Sequence, residues 1–374
     1  MVDEGYESEV VGDDMPRVEI RENHEVKVKE MLHKLTSNEI KLCSAATKEF
    51  IKLLRGDSGG ELLYYYVQNS AQCSELLEAW NLRRGKAGLF YIFKLVTAVL
   101  SHADGVYEPN DAGRMAVSRV LDKFARLIID QKLEDVCKEL KSSEAKRQKA
   151  GLLLLAAIVR RGSVLASEVE KKFDFKLQGF CKLGVYKTRG NEKKMKVSLR
   201  KSFVAFAMSF LEVGAPGLLR SVIRQKEMYS CVLRWLENDD EETVIYILST
   251  LQNRILVEGS TVPPAIRSVL FGSGTLEQLA NISGREDGGP SAELAYRVLL
   301  MVCTDPSNGL MADSKRHLKG NLKRQMDLLK KLRATEIGYH RDLLLAVVSG
   351  RPSLGAAYME EFPYNLEDYS SPKW

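Results

Sequence analysis

The sequence has few of the arrangements from which catalytic and metal sites are usually built. Its six cysteines are each at least 30 positions apart, and its five histidines include no HExxH motif and no pair four residues apart. This spacing excludes the signatures of zinc ribbons, thioredoxin-like redox centres and secreted disulfide frameworks, and it gives no support for metal or histidine-base catalysis. The thiols are predicted to be buried and free.

Long apolar runs and phosphate-binding loops are also missing. No hydrophobic run reaches the ~18 residues that a membrane span needs, and the acidic N-terminus lacks the apolar core of a signal peptide. The glycine-rich stretches match neither GxxxxGK[ST] nor GxGxxG. These absences predict an intracellular protein that has no contact with membrane, is not an enzyme and needs no cofactor.

Charge is distributed unevenly along the chain. Residues 1–25 contain nine acids against two arginines, a net −7, so residues 26–374 carry +12 within the formal total of +5. Residues 1–25, rich in acids and poor in large apolar side chains, are predicted to form a disordered leader. The basic remainder favours an anionic partner such as nucleic acid, although excess lysine is also a common route to solubility.

From about Val26 the apolar residues recur at helical spacing, and the only strand candidate is residues 173–180. Helices of about 10–20 residues with short polar loops predict an all-α fold for residues 26–374, namely an armadillo/HEAT-like α-solenoid of stacked helical hairpins. No repeat motif of ~40 residues stands out, and a globular α-bundle is the competing architecture. Because the chain ends on an apolar segment without a polar capping helix, residues 26–374 are expected to be the N-terminal domain of a longer protein.

Two helices carry specific predictions. One is expected to begin at a capping Ser37, to bury a stripe and to stop at Gly56. The predicted stripe comprises Ile40, Cys43, Phe50 and Leu54. The other begins with the acids Asp239 to Glu242, which are interpreted as complementing the helix dipole and not as a metal site.

The consecutive aromatic residues Tyr64, Tyr65 and Tyr66 are predicted to belong to the core. Consecutive helical positions point in three directions, so the three rings do not form one platform for stacking bases.

The most basic part of the chain is residues 185–203, with seven lysines or arginines against the single acid Glu192. At about 100° per residue, its apolar side chains and those that follow share one side, which predicts a helix from about Lys193 after a loop. Those apolar residues are Met195, Leu199, Phe203, Phe206 and Phe210. Cations in a first helical turn oppose the dipole, and a bound phosphate would relieve that mismatch. A solvated lysine-rich face without any ligand is the equally weighted alternative.

A second basic concentration spans residues 315–333, and smaller basic pairs occur at 146–147, 160–161 and 171–172. The predicted RNA-phosphate contacts, drawn from both basic regions, are Lys187, Arg189, Lys193, Lys194, Lys196, Arg200, Lys201, Lys315, Arg316, Lys319, Lys323 and Arg324. Phosphate contacts of this kind give affinity without base specificity and a steep dependence on salt.

Four stretches together carry a family resemblance: residues 118–180, 200–223, 302–311 ("VCTDPSNGLM") and 330–365. They resemble the N-terminal domain of the nucleolar pre-ribosomal-associated protein 1 family, and its plant members most closely. The resemblance extends over nearly all of residues 26–374, although no short catalytic motif defines the family.

The resemblance implies a large, non-catalytic helical-repeat scaffold in the nucleus and nucleolus, acting in large ribosomal subunit assembly and rRNA processing. The partners it implies are pre-ribosomal RNA, small nucleolar ribonucleoproteins and assembly factors including a DEAD-box helicase. It supplies no catalytic residues, and RNA contact by the lysines named above is inferred from their chemistry alone. The alternative is a helical-repeat protein-interaction adaptor whose basic faces meet acidic partner segments without touching RNA.

Overall fold

A computed structural model describes residues 22–56, 59–69, 73–86, 88–102, 112–172, 191–213, 228–233, 236, 241–254, 273–283 and 289–304. Every regular element in these ranges is a helix, which confirms the all-α prediction for the part of the chain that is described. The strand candidate at residues 173–180 and residues 1–21 of the predicted leader lie outside it. Residues 22–25, predicted as the end of that disordered leader, belong to a helix instead. No helix among the described residues is long and apolar enough to cross a membrane.

The chain divides into two compact units, Met1–Arg126 and Leu127–Trp374, with the division inside α6. The first six helices are α1 (Glu22–Thr36), α2 (Ile40–Leu54), α3 (Gly59–Asn69), α4 (Ser74–Arg83), α5 (Leu89–His102) and α6 (Ala112–Gln131). They are followed by α7 (Leu133–Leu140), α8 (Ala145–Arg160), α9 (Ser163–Lys172), α10 (Asn191–Glu212), α11 (Glu241–Arg254), α12 (Ser273–Ser283) and α13 (Pro290–Thr304). A further helical segment covers residues 228–233.

In the first unit the helices pack on near neighbours in the sequence. The packed pairs are α1 with α2, α2 with α3, α4 with α5, α1 with α4, α2 with α5 and α3 with α5. Tyr64, Tyr65 and Tyr66 are all buried, as predicted for a core role, and the Tyr66 ring meets Phe50 edge-on.

The prediction for α2 is correct for most of its buried stripe and wrong at its start. Cys43, Phe50 and Leu54 are buried, but Ile40 is 43% exposed because it lies in the first turn, at the end of the packed surface. The helix begins at Ile40, and the Ser37 hydroxyl accepts a hydrogen bond from the Glu39 backbone N–H in the preceding turn (3.2 Å). Ser37 therefore orders the connection between α1 and α2 and does not cap α2 itself.

The second unit contains a row of helices, α8, α10, α11 and α13, in which each packs beside the next. Helices α7 and α9 pack on α8, and α12 packs on α13. Residues 150–159 of α8 are almost entirely buried, so few faces of this helix are in contact with solvent. All residues from Ser202 to Leu211 of α10 are buried, so this half of the helix is enclosed on every side.

The cysteine prediction is correct in part. Cys43 and Cys73 are buried free thiols, and burial raises the pKa of Cys73 to about 12. Cys137 is free and half-buried. For Cys231 the prediction is wrong, since this residue is in a disulfide. Sequence spacing could not exclude that bond, because a disulfide depends on the distance between two residues in the fold and not on their separation in the chain.

A candidate nucleic-acid interface

Five of the predicted phosphate contacts lie in one helix. Helix α10 begins at Asn191, two residues before Lys193, which confirms the predicted backward extension. The apolar stripe is buried at Leu199, Phe203, Phe206 and Phe210, also as predicted. Lys187, Arg189 and the whole second basic region, Lys315 to Arg324, lie outside the described residues.

The last two cations of this basic stretch are partly enclosed by the protein. The Lys201 side chain is 20% exposed, and its Nζ forms an ion pair with Glu242 of α11 at 3.0 Å. Arg200 is half-buried. Lys193, Lys194 and Lys196 lie in the first turns of α10, and their contact with phosphate stays a prediction.

Contacts between α8 and α10 fix their relative direction. Near the N-terminal end of α8, Lys149 Nζ donates to Ser198 Oγ at 2.6 Å. At the other end, Arg160 Nε donates to Glu212 Oε2, also at 2.6 Å. The N-terminal parts of the two helices are in contact, and so are their C-terminal ends, so the helices run parallel. Helix α10 begins about one turn before the level at which α8 begins.

The other two helix pairs of the row, α10 with α11 and α11 with α13, are also parallel. Lys201 and Glu212 of α10 contact residues 242 and 246 of α11, so the contacts advance in the same direction along both helices. At the next junction, the first residue of α11, Glu241, reaches the first turn of α13 at Ser291. The N-termini of the row thus point the same way, and so do the positive ends of their dipoles.

Acidic side chains compensate two of these N-termini. Glu241 Oε1 accepts from the Ser291 backbone N–H at 2.9 Å, and Oε2 accepts from the Ser291 hydroxyl at 2.8 Å. Glu242 binds Lys201. The two acids thus link α11 to its neighbours, which supports their structural interpretation, while Asp239 lies outside the described residues. Among the residues that are described, no group of three or more His, Cys, Asp or Glu could hold a metal ion.

The N-termini of α8 and α10 carry cations instead. The first turn of α8 has no acid and contains the exposed Lys146. The first two turns of α10 carry three lysines against Glu192. We call this set, Lys146, Lys193, Lys194 and Lys196, the basic helix pair. Each of these N-termini also has one acid, Glu144 at the N-cap of α8 and Glu192 in the first turn of α10, so the dipoles are compensated in part. Backbone N–H groups and lysine ammonium groups are the donors that phosphate oxygens accept from.

At their C-terminal ends, α8 and α10 are joined by a network of polar side chains that are largely shielded from solvent. Arg160 also donates from Nη2 to Tyr246 Oη at 2.7 Å, and the Tyr246 hydroxyl donates to Glu212 Oε1 at 2.6 Å. Burial and the Glu212 charge raise the pKa of Tyr246 well above its usual range, so the phenol keeps its proton. Burial alone would lower the pKa of Arg160, but its two partners outweigh this and raise it. The network fixes the direction and spacing of the two helices.

Each of the three small basic pairs supplies one residue to a contact between helices. Arg160 belongs to the network just described. Arg147 makes a two-pronged bond with Glu139 of α7, and Lys172 of α9 pairs with Asp130 of α6. These cations hold the fold together, and sequence alone gave no indication of it, because their partners are 8 to 86 residues away.

One buried cation was not singled out from the sequence at all. Arg83, the last residue of α4, is 3% exposed, and its guanidinium donates to three carbonyls of the connection between α1 and α2. The acceptors are the backbone oxygens of Ser37, Asn38 (3.2 Å) and Glu39 (3.4 Å). Its signal in the sequence is weak, since an arginine at a helix C-terminus is usually explained by the dipole.

The residues Gly56–Gly60 have the letters of a GxSxG nucleophile elbow. An elbow requires a strand before the serine so that the hydroxyl stands at the edge of a sheet. Here the preceding element is the helix α2, which ends at Leu54. The structural context that would confirm the motif is therefore not met.

Parallel helices joined by interhelical ion pairs define the described part of the chain as an all-helical protein. The chain belongs to the family described as "Npa1: Ribosome 60S biogenesis N-terminal", which matches residues 73–374.

Two curated relatives are similar to this chain. Nucleolar pre-ribosomal-associated protein 1 of Homo sapiens is 22% identical over 333 residues, which cover 83% of this chain and 14% of that protein. The Mus musculus protein of the same name is 24% identical over 194 residues, 51% of this chain and 8% of that protein. The chain thus spans about a seventh of the human relative. The closer likeness to plant members stays a prediction.

Among solved structures, the crystal structure of an engineered protein aligns with 92% of this chain and 96% of its own. The TM-score is 0.28 and the identity 15%, so the likeness carries no argument about fold or function.

Proposed function

We propose that this chain is a non-catalytic scaffold in assembly of the large ribosomal subunit and processing of its rRNAs, and that it acts in the nucleolus. The observation that carries the proposal is the family match over residues 73–374, whose description names 60S biogenesis. Two relatives called nucleolar pre-ribosomal-associated proteins support the location. The partners we propose are pre-ribosomal RNA, small nucleolar ribonucleoproteins and assembly factors including a DEAD-box helicase.

The architecture we propose for this role is an armadillo/HEAT-like α-solenoid. The parallel row of α8, α10, α11 and α13 supports it, because stacked helical hairpins place equivalent helices side by side and in the same direction. Such a stack offers long surfaces that hold several partners at once. The scaffold would work by keeping RNA segments and assembly factors close together while folding and cleavage proceed.

The basic helix pair is the part of the chain that we propose contacts RNA. Its four lysines belong to the first turns of two parallel helices, whereas the neighbouring N-termini of α11 and α13 are compensated by Glu241 and Glu242. A phosphate bound there would relieve repulsion among the lysines as well as the dipole mismatch. Recognition would be of backbone and shape, since lysines reach phosphates without reading bases.

A protein-interaction adaptor without RNA contact is the second candidate. It is favoured by the use of Arg147, Arg160, Lys172 and Lys201 in contacts within the chain, which lowers the charge left for an external anion. Both candidates share the scaffold role and differ in the nature of the partner at the basic helix pair.

Crosslinking in nucleoli separates the two candidates. The full-length protein that contains this chain is crosslinked to RNA, either unchanged or with Lys193, Lys194 and Lys196 replaced by glutamine. The RNA-binding proposal expects pre-rRNA to be recovered with the unchanged protein and to be strongly depleted in the variant. Recovery of assembly proteins without pre-rRNA from the unchanged protein would overturn it in favour of the adaptor. Nucleoplasmic or cytoplasmic accumulation would contradict the scaffold role itself.

A further inference from the structure

The connection between α8 and α9 has a feature that the scaffold role does not use. It spells Arg160, Arg161, Gly162, Ser163, Val164. The dipeptide Arg-Arg occurs only twice in the whole sequence, at 83–84 and 160–161, and only the second is followed by a serine two residues later. Two arginines upstream of a serine, with an apolar residue after it, is the pattern that basophilic serine/threonine kinases bind through acidic pockets and an apolar pocket.

The two Arg-Arg-Gly segments have the same structural role up to the third residue. In each, the first arginine ends a helix and is used inside the protein, as Arg83 is on carbonyls and Arg160 is on Glu212 and Tyr246. In each, the glycine has a positive φ, +70° at Gly85 and +149° at Gly162, which L-residues rarely adopt. The fourth residue then differs: Lys86 in the first segment and Ser163 in the second.

We propose that Ser163 is a phosphorylation site for a basophilic serine/threonine kinase. Its side chain is partly exposed, and the next residue, Val164, is 61% exposed although it is apolar. Val164 is the most exposed large hydrophobic side chain among the described residues, and packing within the fold gives it no role. An apolar pocket of a kinase would give it one.

The backbone on the α9 side of Arg160 can open at small cost. None of residues 161–164 is buried, so extending them uncovers no core side chain, whereas a kinase that binds Arg160 must also displace its bonds to Glu212 and Tyr246. Only a few backbone hydrogen bonds hold the connection, from Arg161 to Ile158, from Gly162 to Val159 and from Ala166 to Gly162 (3.0 to 3.2 Å). Segments with few buried contacts open locally without unfolding the domain, which gives a kinase the extended chain it requires.

In the reaction, the Ser163 hydroxyl oxygen attacks the γ-phosphorus of ATP. The bond from Oγ to phosphorus forms, the bond from that phosphorus to the β,γ-bridging oxygen breaks, and ADP leaves. The hydroxyl proton passes to the kinase's catalytic carboxylate. The product is a phosphate dianion on the first residue of α9, a helix with no acid in its first turn, where the dipole favours negative charge.

The new phosphate would lie three residues from Arg160, whose guanidinium now binds Glu212. Because phosphate and carboxylate both form two-pronged bonds with arginine, the phosphate competes with Glu212 for this partner. Phosphorylation is therefore coupled to the junction of α8, α10 and α11.

The test is phosphorylation of the folded 374-residue chain by the catalytic subunit of cAMP-dependent protein kinase with Mg-ATP. Mass spectrometry locates the phosphate, and circular dichroism before and after shows that the chain stays helical. The expected result is phosphate on Ser163, its loss at that position in Ser163→Ala, and unchanged incorporation in the control Ser167→Ala. Arg161→Ala is expected to slow incorporation at Ser163 at least about tenfold, the effect of one lost ion pair.

Three results would overturn the proposal. The first is a folded chain with Ser163 unmodified while other serines take up phosphate. The second is phosphorylation only after thermal unfolding, which would show that the connection does not open in the native state. The third is an unchanged rate in Arg161→Ala, which would show that the arginine pair is not what the kinase binds.

Discussion

At the scale of single residues, the clearest feature of the chain is that buried or half-buried arginines connect helices. Arg83 holds three carbonyls of the connection between α1 and α2, and Arg160 holds Glu212 and Tyr246. A guanidinium suits this task because its five N–H donors lie in a rigid plane and its charge persists at any ordinary pH. Lysine at either position would supply a positive charge but not the coplanar N–H donors of a guanidinium.

Replacing Arg83 with methionine should therefore destabilise the protein. The carbonyls of residues 37–39 would lose a charged donor, and a hydrogen bond to a charged group contributes about 1.5–3 kcal/mol. Urea unfolding measures the change. The matched control is Arg84→Met, the neighbouring exposed arginine, for which we expect a change within about 0.5 kcal/mol. Equal losses in the two variants would show that burial of the arginine does not matter.

His102, at the end of α5, provides a test by pH. Burial lowers the pKa of His102, an effect that the Gly59 backbone partly opposes. As pH falls through the ordinary value of about 6.5, the unfolded chain takes up a proton before the folded chain does. The stability that depends on neutral His102 is thus complete above that pH and is lost below it.

The measurement is the free energy of unfolding of the wild type and His102→Gln between about pH 7.5 and pH 5.5. The wild type should lose stability more steeply than the variant as the pH falls. The histidines that remain are common to both proteins and cancel in the comparison. Parallel curves would mean that His102 titrates normally in the folded state.

At the scale of helices, the contact between α11 and α13 determines where the last helix of the row packs. Replacing Glu241 with alanine removes the acceptor for two donors of Ser291 and should cost about 1 kcal/mol, the usual value of a lost helix cap. Thermal unfolding measures the loss, and Glu78→Ala, an exposed glutamate of α4, is the control. No difference between the two variants would mean that the first turn of α13 is solvated equally well by water.

Periodicity predicted where helices lie, and for α10 it also predicted which side is buried. It did not predict that Ser202 to Leu211 are enclosed all round, because Ser202 and Ser209 count as polar in any pattern. In the fold each serine hydroxyl donates to a carbonyl of its own helix, Ser198 and Phe206 respectively, so it enters the core with its hydrogen bond satisfied. A helical wheel does not show hydrogen bonds between a side chain and the backbone of its own helix.

The sequence also did not predict which residues the charged side chains contact. Lys201 was grouped with the solvent-facing cations, since a wheel shows direction around one helix but not the neighbour that stands there. Glu242, which occupies that place, is 41 residues further along the chain. The acids of α11 were correctly assigned to a helix N-terminus, yet Glu241 serves the N-terminus of a different helix, α13.

At the scale of the molecule, the parallel row makes the N-termini of α8, α10, α11 and α13 point in the same direction. The charges near these N-termini differ between the helices. The N-termini of α11 and α13 are compensated by Glu241 and Glu242, while those of α8 and α10 carry lysines. The scaffold role proposed above would need surfaces that retain RNA without reading its sequence, and helix N-termini at which lysines outnumber acids have that chemistry. The central claim of the account is that the basic helix pair binds RNA phosphates.

The measurement that tests this claim most directly is the salt dependence of binding to a structured RNA. Three proteins are compared: the wild type, a variant with Lys193, Lys194 and Lys196 replaced by glutamine, and a control with three exposed lysines of α2 replaced in the same way. The control positions are Lys41, Lys48 and Lys52. Lys201 is left unchanged because it holds Glu242.

Each lysine that contacts a phosphate contributes about one unit to the slope of log K against log salt concentration. The account predicts weaker binding and a slope shallower by roughly two to three for the α10 variant, with both quantities unchanged in the α2 control. Unchanged affinity and slope in the α10 variant, or equal changes in the two variants, would contradict it.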